Sequence, residues 1–346
     1  MPGQTKTLPA PTFAQIVPPT PGYEPFEHFR SFPFQPGATD YSPVNAWWLA
    51  EASHLVYGDD AYVRGKLADA GMTEELGLRV TTLDGQTRGG RCVVLEADAF
   101  TIVAFRGTRI ESFPDPLLNV KLRVLNLADF ATDVDFRMDP ERHAHLGFSR
   151  AFDELLPALD ERLERVGPKP VWLTGHSLGA ALATVAAETL GRSRVKGLYT
   201  FGSPRVGDGT FRSRFDVPCH RYVNHSDVVP HLPPGGLTGD YVHVGELCFF
   251  DRDGRLGGDP TPFEHLEAQF RAQVELLRAG LAAYHPTKLI EAGRAIAEAV
   301  RVGDLAGIGG RIESLQLDVV PVAALADHAP VAYATRVWNA LVAPDR

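Results

Sequence analysis

The chain has 346 residues and is 44% hydrophobic, enough to bury a sizeable core in one large α/β domain. Its 34 basic and 43 acidic residues leave a net charge of −9, which argues against non-specific nucleic-acid binding and against a polybasic membrane anchor. No apolar run reaches the length of a membrane-spanning helix, and Met1 to Val17 lacks a basic start followed by an apolar stretch. The expectation is a cytoplasmic protein, with non-classical export, or secretion of a chain already trimmed, as alternatives.

Residues 1–43 carry ten prolines with Phe13, Phe26, Phe29, Phe32 and Phe34 among them. Proline at that density forbids regular helix. The phenylalanines suggest an arm lying on the body; a disordered leader over residues 1–20 is the rival. Residues 44–346 read as one catalytic domain. Helices are expected at Val44–Tyr57 and Asp59–Ala70, then strands at Leu76–Leu83, Arg91–Glu96 and Phe100–Phe105. A helix at Gly147–Val166 precedes a strand at Lys169–Thr174. Strands at Val195–Phe201 and His220–Asn224 flank a short helix near Gly209–Phe215. Tyr241–Phe249 reads as an edge strand, and Phe263 to Val342 as mostly helical, with an insertion at about 262–320. Strands alternating with helices predict an α/β fold, a mostly parallel central sheet covered on both faces.

Gly175-His176-Ser177-Leu178-Gly179 lies between the apolar run Val171–Thr174 and the alanine-rich run Ala180–Ala187. Strand, sharp turn and helix is the setting in which G-x-S-x-G presents a serine nucleophile. Gly175 and Gly179 lack the Cβ that would clash where strand and helix pass closely. A helix beginning at Ser177 points unpaired N–H groups at the reacting atom, and the helix dipole favours the anion formed there.

A serine nucleophile needs a base, and the base an orienter. In the α/β-hydrolase order the acid and then the histidine follow the serine. Asp227, just past the strand Arg221-Tyr222-Val223, sits where open α/β sheets place their sites. Asp208 opens a helix, Asp216 precedes a strand and Asp240 is a loop residue. Of the 12 histidines, His225 and His231 flank Asp227 too closely. His28 and His54 lie upstream; His265 and His285 fall in helical or loop stretches. His328, in a loop before the last helix, and His243, on the expected edge strand, remain. A loop lets an imidazole swing between nucleophile and leaving group, which favours His328. The oxyanion donors are expected to be the Leu178 backbone N–H and Thr108, after the strand ending at Phe105.

Arg109 to Ala128 is apolar on one side whether read as a helix or as a strand, and fits either a lid or a segment packed permanently on the core. Cys92, Cys219 and Cys248 lie in apolar, strand-like surroundings and read as small buried hydrophobes. His143 and His145 share one face of an extended segment, but no carboxylate cluster nearby completes a metal site. No cofactor is implied.

These motifs together resemble the class 3, fungal-type triacylglycerol lipases and their bacterial relatives. The resemblance rests on Phe105-Arg106-Gly107-Thr108, Asp129–Asp133, His145–Phe148, Gly175–Gly179, Phe201–Gly207, Asn224–Pro230 and Tyr241-Val242-His243, in the family's order over roughly residues 100–245. It implies the α/β-hydrolase fold and a Ser177–Asp227–His328 triad. It implies Thr108 as an oxyanion side chain, and a base later in the chain than His243, with Tyr333 at a family-like spacing after His328. A lid over the site, formed by the segment after Thr108, is also implied. The substrate would be an acyl glycerol or similar apolar ester, possibly met at a lipid–water interface. Phospholipase A1, feruloyl-esterase or acyltransferase specificity is an alternative on the same site, and a non-catalytic ligand-binding scaffold a further one. The proline-rich arm and the long helical stretch between His243 and His328 depart from the family's compact pattern.

Overall fold

A computed structural model describes residues 4–10, 12–16, 18–107, 137–227, 229–233, 240–257 and 326–344. Thr108, the expected lid at 109–128, the insertion at about 262–320, His265 and His285 lie outside these described residues.

Seven strands form one sheet in chain order: β1 (Arg79–Asp84), β2 (Arg91–Glu96), β3 (Thr101–Phe105), β4 (Val171–His176), β5 (Val195–Phe201), β6 (Cys219–Asn224) and β7 (Glu246–Phe250). The pairings β1–β2 and β2–β3 are antiparallel; those from β3 to β7 are parallel. The described helices are α1 (Phe13–Ile16), α2 (Pro43–Leu55), α3 (Asp60–Asp69), α4 (Met72–Glu75), α5 (Leu146–Asp153), α6 (Leu156–Val166), α7 (Leu178–Leu190), α8 (Gly209–Arg214) and α9 (Pro330–Val342).

Successive side chains of a strand face opposite ways, so the sheet carries two cores. Val93, Leu95, Ile102, Ala104 and Trp172 pack with Trp47 and Trp48 of α2 and Trp338 of α9. Cys92, Val94, Val103, Phe105 and Leu173 pack with α5, α6 and α7 on the other face. Central strand β4 is buried throughout, as a strand covered on both faces must be. Ser42 opens α2: its side chain accepts from the Asn45 N–H, and Pro43 stands at the first helical position, where no N–H is needed.

Three expectations change. The helix expected over 147–166 is two helices, α5 and α6, because Pro157 cannot donate to the carbonyl of Asp153 and its ring crowds it. The edge strand expected from Tyr241 begins only at Glu246. Gly245 turns the chain at φ 79°, and a Cβ there would strike Cys219. Val242 forms only an isolated bridge to Gly207, so His243 lies outside the sheet. The arm over 4–43 packs on the body as expected, Phe26, Phe29 and Phe34 entering the α2–α9 core, yet it holds one helical turn, α1.

Candidate active site

Ser177 stands between β4 and α7 with φ 58° and ψ −128°. A non-glycine residue holds that conformation only when its surroundings impose it, at a cost of order 1–3 kcal/mol. Here the Ser177 N–H is bonded to the Phe201 carbonyl at 2.9 Å. A Cβ on Gly175 would overlap the Gly179 backbone, and one on Gly179 would overlap the Phe105 carbonyl. Both glycines are therefore required by close backbone approach. Leu178 is the first residue of α7, so its N–H has no partner within the helix.

The Ser177 hydroxyl lies 2.9 Å from His328 Nε2, and His328 Nδ1 lies 2.9 Å from Asp227 Oδ2. Asp227 is fully buried just past the end of β6. Its carboxylate also accepts from the Tyr333 hydroxyl, at 2.6 Å on Oδ2, and from the Val229 N–H, at 2.9 Å on Oδ1. Three donors satisfy a charge that burial would otherwise make costly. The carboxylate accepts from Nδ1–H, which leaves Nε2 of a neutral imidazole free to accept the serine proton. Burial, and then the adjoining Asp227 charge, push the Tyr333 hydroxyl well above the usual phenol range, so it stays a donor.

His328 sits in a turn of helix at 326–328, just before α9. Hydrogen bonds hold that turn and α9. Asn224 Nδ2 donates to the Asp327 carbonyl at 2.8 Å, the Ser226 N–H donates to Asp327 Oδ2 at 3.2 Å, and the Asn224 N–H donates to the Tyr333 hydroxyl at 3.0 Å. His176 contributes another. A carbonyl only accepts, so His176 Nε2–H donates to the His328 carbonyl, at 2.6 Å. Its Nδ1 then accepts from the Tyr57 hydroxyl, at 2.7 Å. Burial, followed by repulsion from His328, holds the His176 imidazole well below its usual pKa, so it remains neutral and the relay keeps its direction.

The structure thus gathers Ser177, Asp227 and His328 and leaves the rival base apart. His243 Nε2–H donates to the Pro230 carbonyl at 2.8 Å, and burial together with the nearby Arg221 and Arg205 charges depresses its pKa. His143 pairs with Asp208, whose other carboxylate oxygen caps α8. Among the described residues no group of three His, Cys, Asp or Glu side chains could hold a metal. Cys92 and Cys219 are buried, and Cys248 is half-buried.

Sequence reasoning passed over Tyr57, His176 and Gly202. Gly202 follows β5 at φ 59°, and a Cβ there would lie 2.7 Å from Asp227 Oδ2 and 3.0 Å from His328 Nδ1. Its signal was a glycine directly after an apolar strand whose neighbour leads into a candidate acid just past its end. The register of β3 against β4 sets Phe105 beside Gly175, so the turn at 106–107 leaves the sheet next to the elbow. A Cβ on Gly107 would meet the Tyr57 hydroxyl and the His176 carbonyl.

A mostly parallel sheet with a strained serine at a strand-to-helix elbow, and an acid and a histidine from beyond later strands, defines the α/β-hydrolase fold. Residues 102–236 match the model of the family Lipase (class 3). A lipase of Rhizomucor miehei is 36% identical over 116 residues, which cover 30% of this chain and 31% of that protein. A lipase of Rhizopus niveus is 30% identical over 180 residues, covering 48% and 42%. The solved triacylglyceride lipase of Rhizomucor miehei superposes with a TM-score of 0.46 and 24% identity, over 60% of this chain and 79% of that one. The chain spans less than half the length of the curated relatives it matches here. No helix among the described residues is long and apolar enough to cross a membrane.

Proposed function

We propose that the protein hydrolyses carboxylic esters of apolar lipids, acyl glycerols foremost, through an acyl-enzyme on Ser177. The observation that carries this is the unbroken line from the Ser177 hydroxyl through His328 to Asp227, 2.9 Å at each step. His328 takes the serine proton as Oγ attacks the ester carbonyl, and gives it to the departing alcohol. Asp227 holds the imidazole tautomer and stabilises the imidazolium. Water, activated by the same histidine, then releases the acid. The developing oxyanion is assigned to the Leu178 N–H and to Thr108. The lipid character of the substrate rests on the class 3 lipase relatives, themselves named lipases.

The test is turnover of nitrophenyl esters of increasing acyl length, with covalent labelling by a serine-directed phosphonate. Ser177→Ala is expected to remove labelling and to lower kcat by about 10⁴-fold or more. His243→Gln is expected to keep most of the parent's activity, because His243 Nε2–H donates to the Pro230 carbonyl rather than joining the Ser177–His328–Asp227 line. Unchanged turnover in Ser177→Ala would sink the proposal. A dead His243→Gln beside an active His328→Gln would move the base to His243.

A further inference from the structure

Two of the three site side chains depend on one helix. The turn at 326–328 carries His328, and α9 directly after it carries Tyr333, which bonds Asp227. Whatever fixes α9 fixes the base and the orientation of its acid together. Hydrogen bonds from Asn224 and His176 hold the sheet side of this unit. α2 packs along α9 through Trp47 and Trp338, and the N-terminal arm holds α9 in two further places. Near the base, Ile16 of α1 is buried against Ala329, Val331 and Ala332, with Tyr23 and Ala326 packed around them. Ala329 is the residue after His328. At the far end of α9, the Asn339 side chain bonds both polar groups of the Lys6 backbone, accepting its N–H at 2.7 Å and donating to its carbonyl at 2.8 Å. Trp338 Nε1–H donates to the Gln4 carbonyl at 2.9 Å, and His28 stacks on the Trp338 ring at 4.5 Å.

We infer that the arm over residues 4–28 is a positioning element for the reaction, clamping α9 so that His328 stays in line between Ser177 and Asp227. The inference rests on the esterase reading of this site. Among the described residues the arm meets this unit at Ala329 and α9, and it acts through them. A proton relay tolerates little misplacement, since a shift of ~1 Å can cost ~10²-fold in rate. Substrate binding needs no such alignment. A loosened clamp therefore lowers kcat and spares KM.

The experiment uses the full chain carrying Ile16→Ala together with Asn339→Ala, assayed on a soluble nitrophenyl ester at a temperature where circular dichroism shows it folded. The expected result is a kcat about 10- to 100-fold below the parent with KM within about twofold. Phosphonate labelling of Ser177 should slow in parallel, since it needs the same base. Ile16→Leu should restore both, and Leu247→Ala, at an exposed position of β7 outside the arm, should change neither. If the double variant does not fold, Asn339→Ala alone carries the test. A lower unfolding temperature with kcat and labelling at parent values would overturn the inference, leaving the arm a stabiliser only. Absence of labelling in the unsubstituted chain would instead overturn the esterase reading itself.

Discussion

Gly202 offers the sharpest test of how closely the site is built. Replacing it with Ala adds one methyl group, and the added atom would lie 2.7 Å from Asp227 Oδ2 and 3.0 Å from His328 Nδ1. Ordinary contact between such atoms begins at about 3.5 Å, so the carboxylate or the ring must retreat by several tenths of an ångström or more. The carboxylate is held by Tyr333 and Val229, which leaves the imidazole to yield. Gly202 also sits at φ 59°, where a side chain costs roughly 1–2 kcal/mol. The strain lowers stability modestly and leaves the fold intact. The displaced imidazole loses its line to Ser177, and misplacement on this scale costs about 10²-fold in rate. Gly202→Ala should therefore fold, melt somewhat lower, and hydrolyse a nitrophenyl ester with kcat about 100-fold below the parent. The assay is steady-state turnover on protein whose circular dichroism matches the parent. A Gly202→Ala protein retaining more than about half the parent's kcat would refute the reasoning, because a shift of this size is expected to cost far more.

Tyr333→Phe removes the 2.6 Å bond to Asp227 and leaves packing nearly unchanged. A hydrogen bond to a charge contributes about 1.5–3 kcal/mol, so kcat should fall by about 10- to 100-fold, with Asp227→Asn far worse. A twofold loss or less in Tyr333→Phe would show that Val229 and His328 alone hold the carboxylate. Stability should also depend on pH. His54 and His145 are buried neutral and their pKa values are lowered to about 4, burial being the cause in each. In the unfolded chain each titrates near the ordinary value of about 6.5. Stability is then fully present above about pH 6.5 and is lost toward pH 4, at ~1.4 kcal/mol per pH unit for each histidine. Urea unfolding at pH 7 and pH 5 should reveal this loss, and His54→Gln should flatten it; equal midpoints at the two pH values would refute it.

The elbow was legible because its constraint is local. Two glycines two residues either side of a serine, between a buried strand and a buried helix, leave few other structures. Asp227 was legible for a related reason, as the first acid past a strand end on the expected edge of the sheet. The choice of His328 over His243 rested on a general preference for a loop, and the pattern Tyr241–Val244 looked like a strand. What sets His243 apart in the structure is Gly245, which turns the chain before β7, and the Pro230 carbonyl that its ring nitrogen meets. His176 and Tyr57 were invisible because their bonds join segments 119 residues apart, and nothing near either residue announces the other. The broken helix at Pro157 was legible in principle, since proline inside a helical pattern ends or kinks it. The arm's aromatic residues pointed to packing on the body, but not to their targets: Phe26, Phe29 and Phe34 meet Trp48 of α2, and Phe32 meets Trp338 of α9.

Ser177 and His328 are 151 residues apart, and the bond between Lys6 and Asn339 spans 333. The line from Ser177 to Asp227 therefore joins segments far apart in the chain, and it exists only once α9 is docked on the sheet: no local turn can bring the hydroxyl and the imidazole together.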